Sequence, residues 1–295
     1  MVKRALLIGI NYVENTRYKL NGCINDVINL EHLLIDAYNY SIDNVTVMRD
    51  DIYNIKDELY PSTKNIVREL NNIFEISDEH DEIWIHYSGH GHYTTDNNKD
   101  ETDNRDEMII TVNDNGRLEG ILDDELNSIF EKNISNTFAV FDCCNSGTIG
   151  DLKYIYRFKE KIDSKGISDD DLTNEYSDKY EIIKSIENEN SKVKKIHLLS
   201  GSRDDQESYD SFNNKTQIAM GAMTSSLLYI IRKNKHTISL YNLHKQICEH
   251  LISKGFPSQT PCLSLCDDTP TFSLSKTTTE TKIKKTYRKM FMKLF

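Results

Sequence analysis

Five short apolar stretches, 5–10, 45–48, 83–87, 138–141 and 196–199, set the strongest constraint on what this chain can fold into. Each is rich in Val, Ile, Leu or Phe and is flanked by polar or turn residues, the pattern of strands buried on both faces. Between them lie segments with helical spacing. In 26–37 the apolar positions are Val27, Leu30, Leu33, Leu34 and Ala37. In 62–74 they are Ile66, Leu70, Ile73 and Phe74, with Ser62 placed to cap the helix after Pro61, and 123–130 repeats the pattern. Strands alternating with helices imply βαβ crossovers and a mostly parallel sheet covered by helices on both faces.

Beyond residue 152 the pattern breaks. The segment 152–195 is dense in charge, including Asp169-Asp170-Asp171 and Glu187-Asn188-Glu189-Asn190, and reads as a solvated loop with one short helix near 180–186. Regular spacing returns with helices at 219–232 and 240–254 and a last strand at 271–274. The division expected is therefore 1–151, a charged linker 152–195, a second part 196–275 of the same domain, and a basic tail 276–295.

Charge excludes one class of partner. The tail carries seven Lys or Arg against Glu280 alone, leaving residues 1–275 with 29 basic and 46 acidic side chains. Such a body repels phosphate, so nucleic acid is not expected to bind. No apolar run reaches the roughly 18 to 20 residues of a membrane span, and the first ten residues lack a signal peptide's form, which points to the cytoplasm. Six cysteines without a dense framework or zinc-finger spacing read as reduced thiols.

Two strand ends carry chemistry. His86-Tyr87-Ser88-Gly89-His90-Gly91-His92 follows one strand, and Phe141-Asp142-Cys143-Cys144-Asn145-Ser146-Gly147 follows another. Residues just past the carboxyl end of a parallel strand line the ligand crevice. A thiol there, 54 residues after His90, suits a Cys/His pair that meets in space. Taken singly, the first segment is also a glycine-rich turn and the second a pair of small buried residues.

Together the two segments resemble the metacaspases, caspase-like cysteine peptidases. Tyr87-Ser88-Gly89-His90-Gly91 is similar to their His motif, and 142–147 to their Asp-x-Cys-His-Ser-Gly motif. The likeness extends through 20–26, Asp106-Glu107, 121–125, Asp151-Leu152, 199–206, 221–224 and 259–264, covering roughly residues 4 to 275. It departs at Asn145, where the family has His, and at the start, where the first strand begins by residue 4 without a prodomain. The short gap after Cys144 is unlike type II members, so the chain resembles a type I member.

The resemblance implies a caspase-like three-layer α/β/α sandwich and a cysteine endopeptidase. Cys144 would be the nucleophile and His90 the general base, with the N–H groups of Gly91 and Cys144 as oxyanion donors. Cys23, Asp26, Ser88 and Asp142 would form an acidic pocket for Arg or Lys before the scissile bond, in a polypeptide substrate. Asp106, Asp123, Asp124 and Asp151 would bind an activating Ca²⁺. The same resemblance implies a monomer, self-processing in 152–195 at Lys153, Arg157, Lys159, Lys161, Lys165 or Lys192, and, as the alternative function, an inactive caspase-like interaction module. A redox role for Cys143-Cys144 fails on spacing. In the tail, Ile283, Tyr287, Met290, Phe291 and Leu294 recur every three or four residues, the pattern of a basic amphipathic helix. A solubilising end or a self-substrate is the preferred reading over membrane contact, since one short helix binds a membrane weakly without a second anchor.

Overall fold

The computed structural model describes residues 1–95, 105–144, 146–147, 149–160, 180–186, 188–189, 191–202, 210–213, 218–268 and 272–276. In chain order the first part runs β1 (Lys3–Gly9), α1 (Cys23–Tyr38), β2 (Val45–Arg49), α2 (Thr63–Glu75), β3 (Glu82–Ser88), β4 (Gly91–Thr95), β5 (Arg105–Val112), β6 (Leu118–Leu122), α3 (Asp123–Phe130) and β7 (Asn136–Asp142). The second part adds β8 (Tyr154–Glu160), β9 (Tyr180–Ile186), β10 (Ile196–Ser200), β11 (Asp210–Asn213), β12 (Ile218–Gly221), α4 (Ala222–Lys233), β13 (Ile238–Ser239), α5 (Leu240–Ser253), β14 (Cys262–Leu265) and β15 (Ser273–Leu274).

Eight strands form the central sheet in the order β2-β1-β3-β7-β10-β14-β8-β9. The first five are mutually parallel, and β14, β8 and β9 continue the sheet antiparallel. Successive residues of a strand face opposite ways, so each central strand feeds two cores. Ala5, Leu7, Trp84, Phe138 and Leu199 pack with residues of α1, α4 and α5, while Leu6, Ile8, Ile85, Phe141 and Leu198 pack with those of α2 and α3. The result is the three-layer α/β/α sandwich expected. Ser62 caps α2 as expected, accepting the Asn65 N–H at 3.3 Å.

The stretch expected as a solvated loop differs. Residues 154–160 and 180–186 are strands at the sheet edge, and 180–186 is not a helix. The reason is alternation hidden among charges: Ile155, Tyr156 and Phe158 are buried while Lys159 is exposed. The strand expected at 271–274 is reduced to Ser273–Leu274, which pairs with β13 outside the main sheet. A three-stranded sheet, β4-β5-β6, stands beside the carboxyl edge of β3 and was not expected at all. The tail helix expected beyond 276 lies outside the described residues. Among the described residues, no helix is long and apolar enough to cross a membrane.

Candidate active site

In the parallel pairing of β3 with β7, Ser88 stands opposite Asp142. His90 and Cys144 each lie two residues past those partners, so both emerge at the same sheet edge. The chains stay close beyond the strands, with the Gly89 N–H donating to the Asp142 carbonyl at 3.4 Å. A Cβ at Gly91 would collide with the Cys144 carbonyl and lie 3.2 Å from Cys143 Cβ, so only glycine lets these backbones approach.

The peptide of His90 is clamped by two buried phenols. Its N–H donates to Tyr12 Oη at 2.8 Å, and its carbonyl accepts from Tyr87 Oη at 2.8 Å. Tyr12 donates to the Ile110 carbonyl at 2.7 Å, and burial pushes both phenols well above their ordinary range, keeping them protonated donors. The imidazole lies beside the Tyr12 ring at 4.8 Å. Its Nε2 is 2.8 Å from the Tyr18 carbonyl oxygen. A carbonyl only accepts, so Nε2 carries the proton and Nδ1 keeps its lone pair.

The two adjacent cysteines are not equivalent. Cys143 is buried and its thiol is pushed well above the usual range by that burial, next by Cys144 and Asp142. Cys144 is partly exposed. A buried, protonated thiol is a poor nucleophile, and Cys144 is the more accessible thiol of the pair. Asn145 lies outside the described residues.

Asp26, Ser88 and Asp142 are brought together from three places in the chain, with Cys23 in the same helical turn as Asp26. Asp26, in the first turn of α1, accepts Ser88 Oγ at 2.6 Å and the Gly221 N–H at 3.1 Å. Asp142, at the end of β7, accepts both the Thr224 N–H at 2.9 Å and Thr224 Oγ1 at 2.7 Å. Cys23 is buried beside them, its N–H donating to Asn11 Oδ1 at 3.1 Å. A Cβ at Gly221 would collide with Asp142 Oδ2 and come 2.9 Å from Asp26 Oδ2, so both carboxylates close over one point of backbone. Thr224 Oγ1 also lies 3.5 Å from Nε2 of the fully buried His86, whose Nδ1 has no hydrogen-bond partner among the described residues. Burial holds His86 neutral, with its pKa lowered to about 3.

The remaining aspartates form a second acidic face. Asp123 is the first residue of α3, with Leu122 at the capping position. Its carboxylate accepts the Glu107 and Asp124 N–H groups, both at 2.9 Å, and burial raises its pKa to about 6. Asp106 and Glu107 are buried on β5, and Asp151 Oδ2 accepts from Asn127 at 3.3 Å. Among the described residues, no group of three or more His, Cys, Asp or Glu is arranged to hold a metal ion.

Sequence reasoning passed over Tyr12 and Tyr18, and gave no role to Tyr87, Gly221 or Thr224 within the matching segments. Tyr18 acts through its carbonyl, which leaves no trace in residue type. Gly221 and Thr224 at a strand-to-helix junction are the detectable signals.

Comparison with known proteins bears on the fold and the family. The solved structure of protein GSU0716 from Geobacter sulfurreducens has the same fold at a TM-score of 0.60 and 20% identity, covering 94% of this chain and 98% of that one. Metacaspase-1 of Eremothecium gossypii is 30% identical over an alignment 297 positions long that covers 89% of this chain and 63% of that protein. Metacaspase-1 of Saccharomyces cerevisiae is 36% identical over 170 residues, 56% of this chain and 38% of that protein. The chain thus spans less than two thirds of these relatives. The family model for the metacaspase, peptidase C14 domain matches residues 3–153, the half that carries both strand ends. By that match the chain belongs to the metacaspase family.

Proposed function

We propose that this protein is a cysteine endopeptidase cleaving after Arg or Lys, with Cys144 as nucleophile and His90 as base and then acid. The observation that carries this reading is the parallel register setting Ser88 opposite Asp142, which places both groups on one edge above a pocket holding two buried carboxylates. A free thiol has a pKa near 8.5 and is only a few per cent thiolate at neutral pH, so the base is needed.

His90 Nδ1 takes the Cys144 proton as sulfur attacks the peptide carbonyl carbon. The N–H groups of Gly91 and Cys144 face the developing oxyanion. The C–N bond then breaks, His90 gives its proton to the leaving amine, and a thioester remains. Water attacks the thioester, passing a proton to His90, and the C–S bond breaks as sulfur recovers that proton. A guanidinium in the pocket would meet Asp26 and Asp142, and an Asp side chain would meet repulsion.

Fluorogenic peptides ending in Arg and in Asp test the reading. Arg peptides are cut, Asp peptides are not, and Cys144→Ala abolishes cleavage while Cys143→Ala keeps most of it. Equal cleavage of both peptides would defeat the pocket argument. An inactive wild type would leave the interaction-module alternative.

Calcium stimulation through Asp106, Asp123, Asp124 and Asp151 is also proposed, supported by the burial of the Asp106 and Asp123 carboxylates, and no step above is routed through the ion. The same assay in excess chelator tests it, full activity excluding an activating role. Self-processing is proposed at Lys153 or Lys192, because Arg157 is locked in the ladder between β14 and β9 and Lys159 is paired with β9. Lys161 and Lys165 lie outside the described residues.

A further inference from the structure

The carboxyl edge of the sheet reads in a fixed order. Cys144 follows β7, His90 follows β3, Tyr12 follows β1, and 50–55 follow β2, in the strand order β2-β1-β3-β7. A cavity of about 500 Å³ lies at the β2 end of this row, lined among others by Tyr12, Tyr53, Tyr60, Glu14 and Asp50. Tyr12 is shared: it lines this cavity and its ring lies 4.8 Å from the His90 imidazole, whereas His90 does not line the cavity. The acidic pocket of Asp26 and Asp142 is separate, since neither residue lines it.

The reaction gives this placement a meaning. His90 must protonate the leaving amine, so the departing segment of the substrate extends to the His90 side of Cys144. Beyond His90 on that side stands Tyr12, and beyond Tyr12 the cavity. We propose that this cavity is the subsite for the leaving-group segment and that it takes a Lys or Arg side chain lying a few residues past the scissile bond.

The chemistry of the walls selects the occupant. Of the three tyrosines in the walls Tyr12 and Tyr60 are buried and Tyr53 is partly exposed, so Tyr53 offers the ring surface for an aliphatic stem and a cation. Glu14 is exposed at the cavity, and Asp50 is buried with its carboxylate accepting the Asn11 and Val13 N–H groups at 2.9 Å, which fixes it on the loop that carries Tyr12. Asp51 is paired with Arg49, so Glu14 and Asp50 supply the uncancelled charge. An extended chain advances about 3.3 Å per residue, so the cavity is reached within the first few leaving-side residues.

This proposal rests on the peptidase reading, and the test separates the two. Peptides with Arg before the scissile bond carry an alanine leaving segment in which one Lys is moved through the first four positions, alongside an Arg amide with a fluorophore as leaving group. One Lys position should raise kcat/KM over the all-Ala peptide by about threefold to tenfold, the size of an exposed charge and ring contact. Glu14→Lys, at an exposed site, should bring that ratio to one or below. A flat Lys scan with the amide still cut overturns the subsite and leaves the peptidase standing. A Lys preference unaltered in Glu14→Lys overturns its assignment to this cavity. No cleavage of amide or peptide overturns both.

Discussion

Asp26 and Asp142 form one group of carboxylates, and Asp106, Asp123, Asp124 and Asp151 another, in very different surroundings. The first pair is held by Ser88 Oγ, the Gly221 N–H and both donors of Thr224, and glycine at 221 clears the space between them. In the second group Asp123 accepts the Glu107 and Asp124 N–H groups but carries a carboxyl pushed up to about 6 by burial, and among the described residues no group of three or more His, Cys, Asp or Glu is arranged to hold a metal ion. Carboxylates fixed in orientation by neutral donors are ready to meet a cation without rearrangement. Buried carboxylates without such convergence instead cost stability when ionised. The acidic composition that both share therefore says little about which group is a site.

Removing a pocket carboxylate is the sharpest way to test that contrast. Asp142→Ala should lower kcat/KM for Arg peptides by about a hundredfold or more, the 2 to 5 kcal/mol typical of stripping one partner from a buried charge pair. Asp124→Ala should change it by less than about threefold at saturating calcium. Equal losses from the two would erase the distinction.

Acid should act through the pocket's support. His86 has its pKa depressed to about 3, so its contribution is present above the unfolded value of about 6.5 and is lost as pH falls toward 3. By pH 4 the loss is on the order of 3 kcal/mol. Urea midpoints measured from pH 7 to 4 should fall steeply in the wild type and less steeply in His86→Leu. Parallel curves would assign the acid sensitivity elsewhere.

Gly221→Ala should be the next largest effect, about tenfold or more in kcat/KM, because its methyl group meets Asp142 and Asp26 where a substrate cation would sit. Its unfolding midpoint should move less than its activity. A variant as active as the wild type would show that the carboxylates have room to spare.

The smallest effect belongs to the other face. The raised Asp123 carboxyl contributes stability that is present below about 3.8 and lost as pH rises through about 6. Asp123→Asn should therefore raise stability by about 1 kcal/mol at pH 7.5 and not at pH 4.5. Melting curves at the two pH values decide it, and a destabilised variant at pH 7.5 would show that the two N–H donors outweigh burial.

Much of this was legible in sequence because it is local. The parallel strands were visible as short apolar runs, and α2 and α3 as periodic segments with Ser62 marking a start. The residues His90, Cys144, Asp26 and Asp142 could be named from strand-end motifs and a family resemblance. β8 and β9 were missed because charges interrupt their alternation, and because β8 is placed by pairing with β14, more than a hundred residues away, while β9 pairs only with β8. The β4-β5-β6 sheet was missed because its pairing partners lie across polar segments.

The amino-acid sequence by itself determined the layered α/β class, the identity of the reactive strand ends and the acidic character of the body, since periodicity, residue type and charge are properties of the chain alone. The tertiary structure decided which of two adjacent thiols is accessible, that a backbone carbonyl at Tyr18 sets the His90 tautomer, and that Gly221 from the second half completes a pocket begun by Asp26. Each of these depends on distances between groups far apart along the chain, and burial, proton placement and convergence of charge exist only once the strands have been set in register.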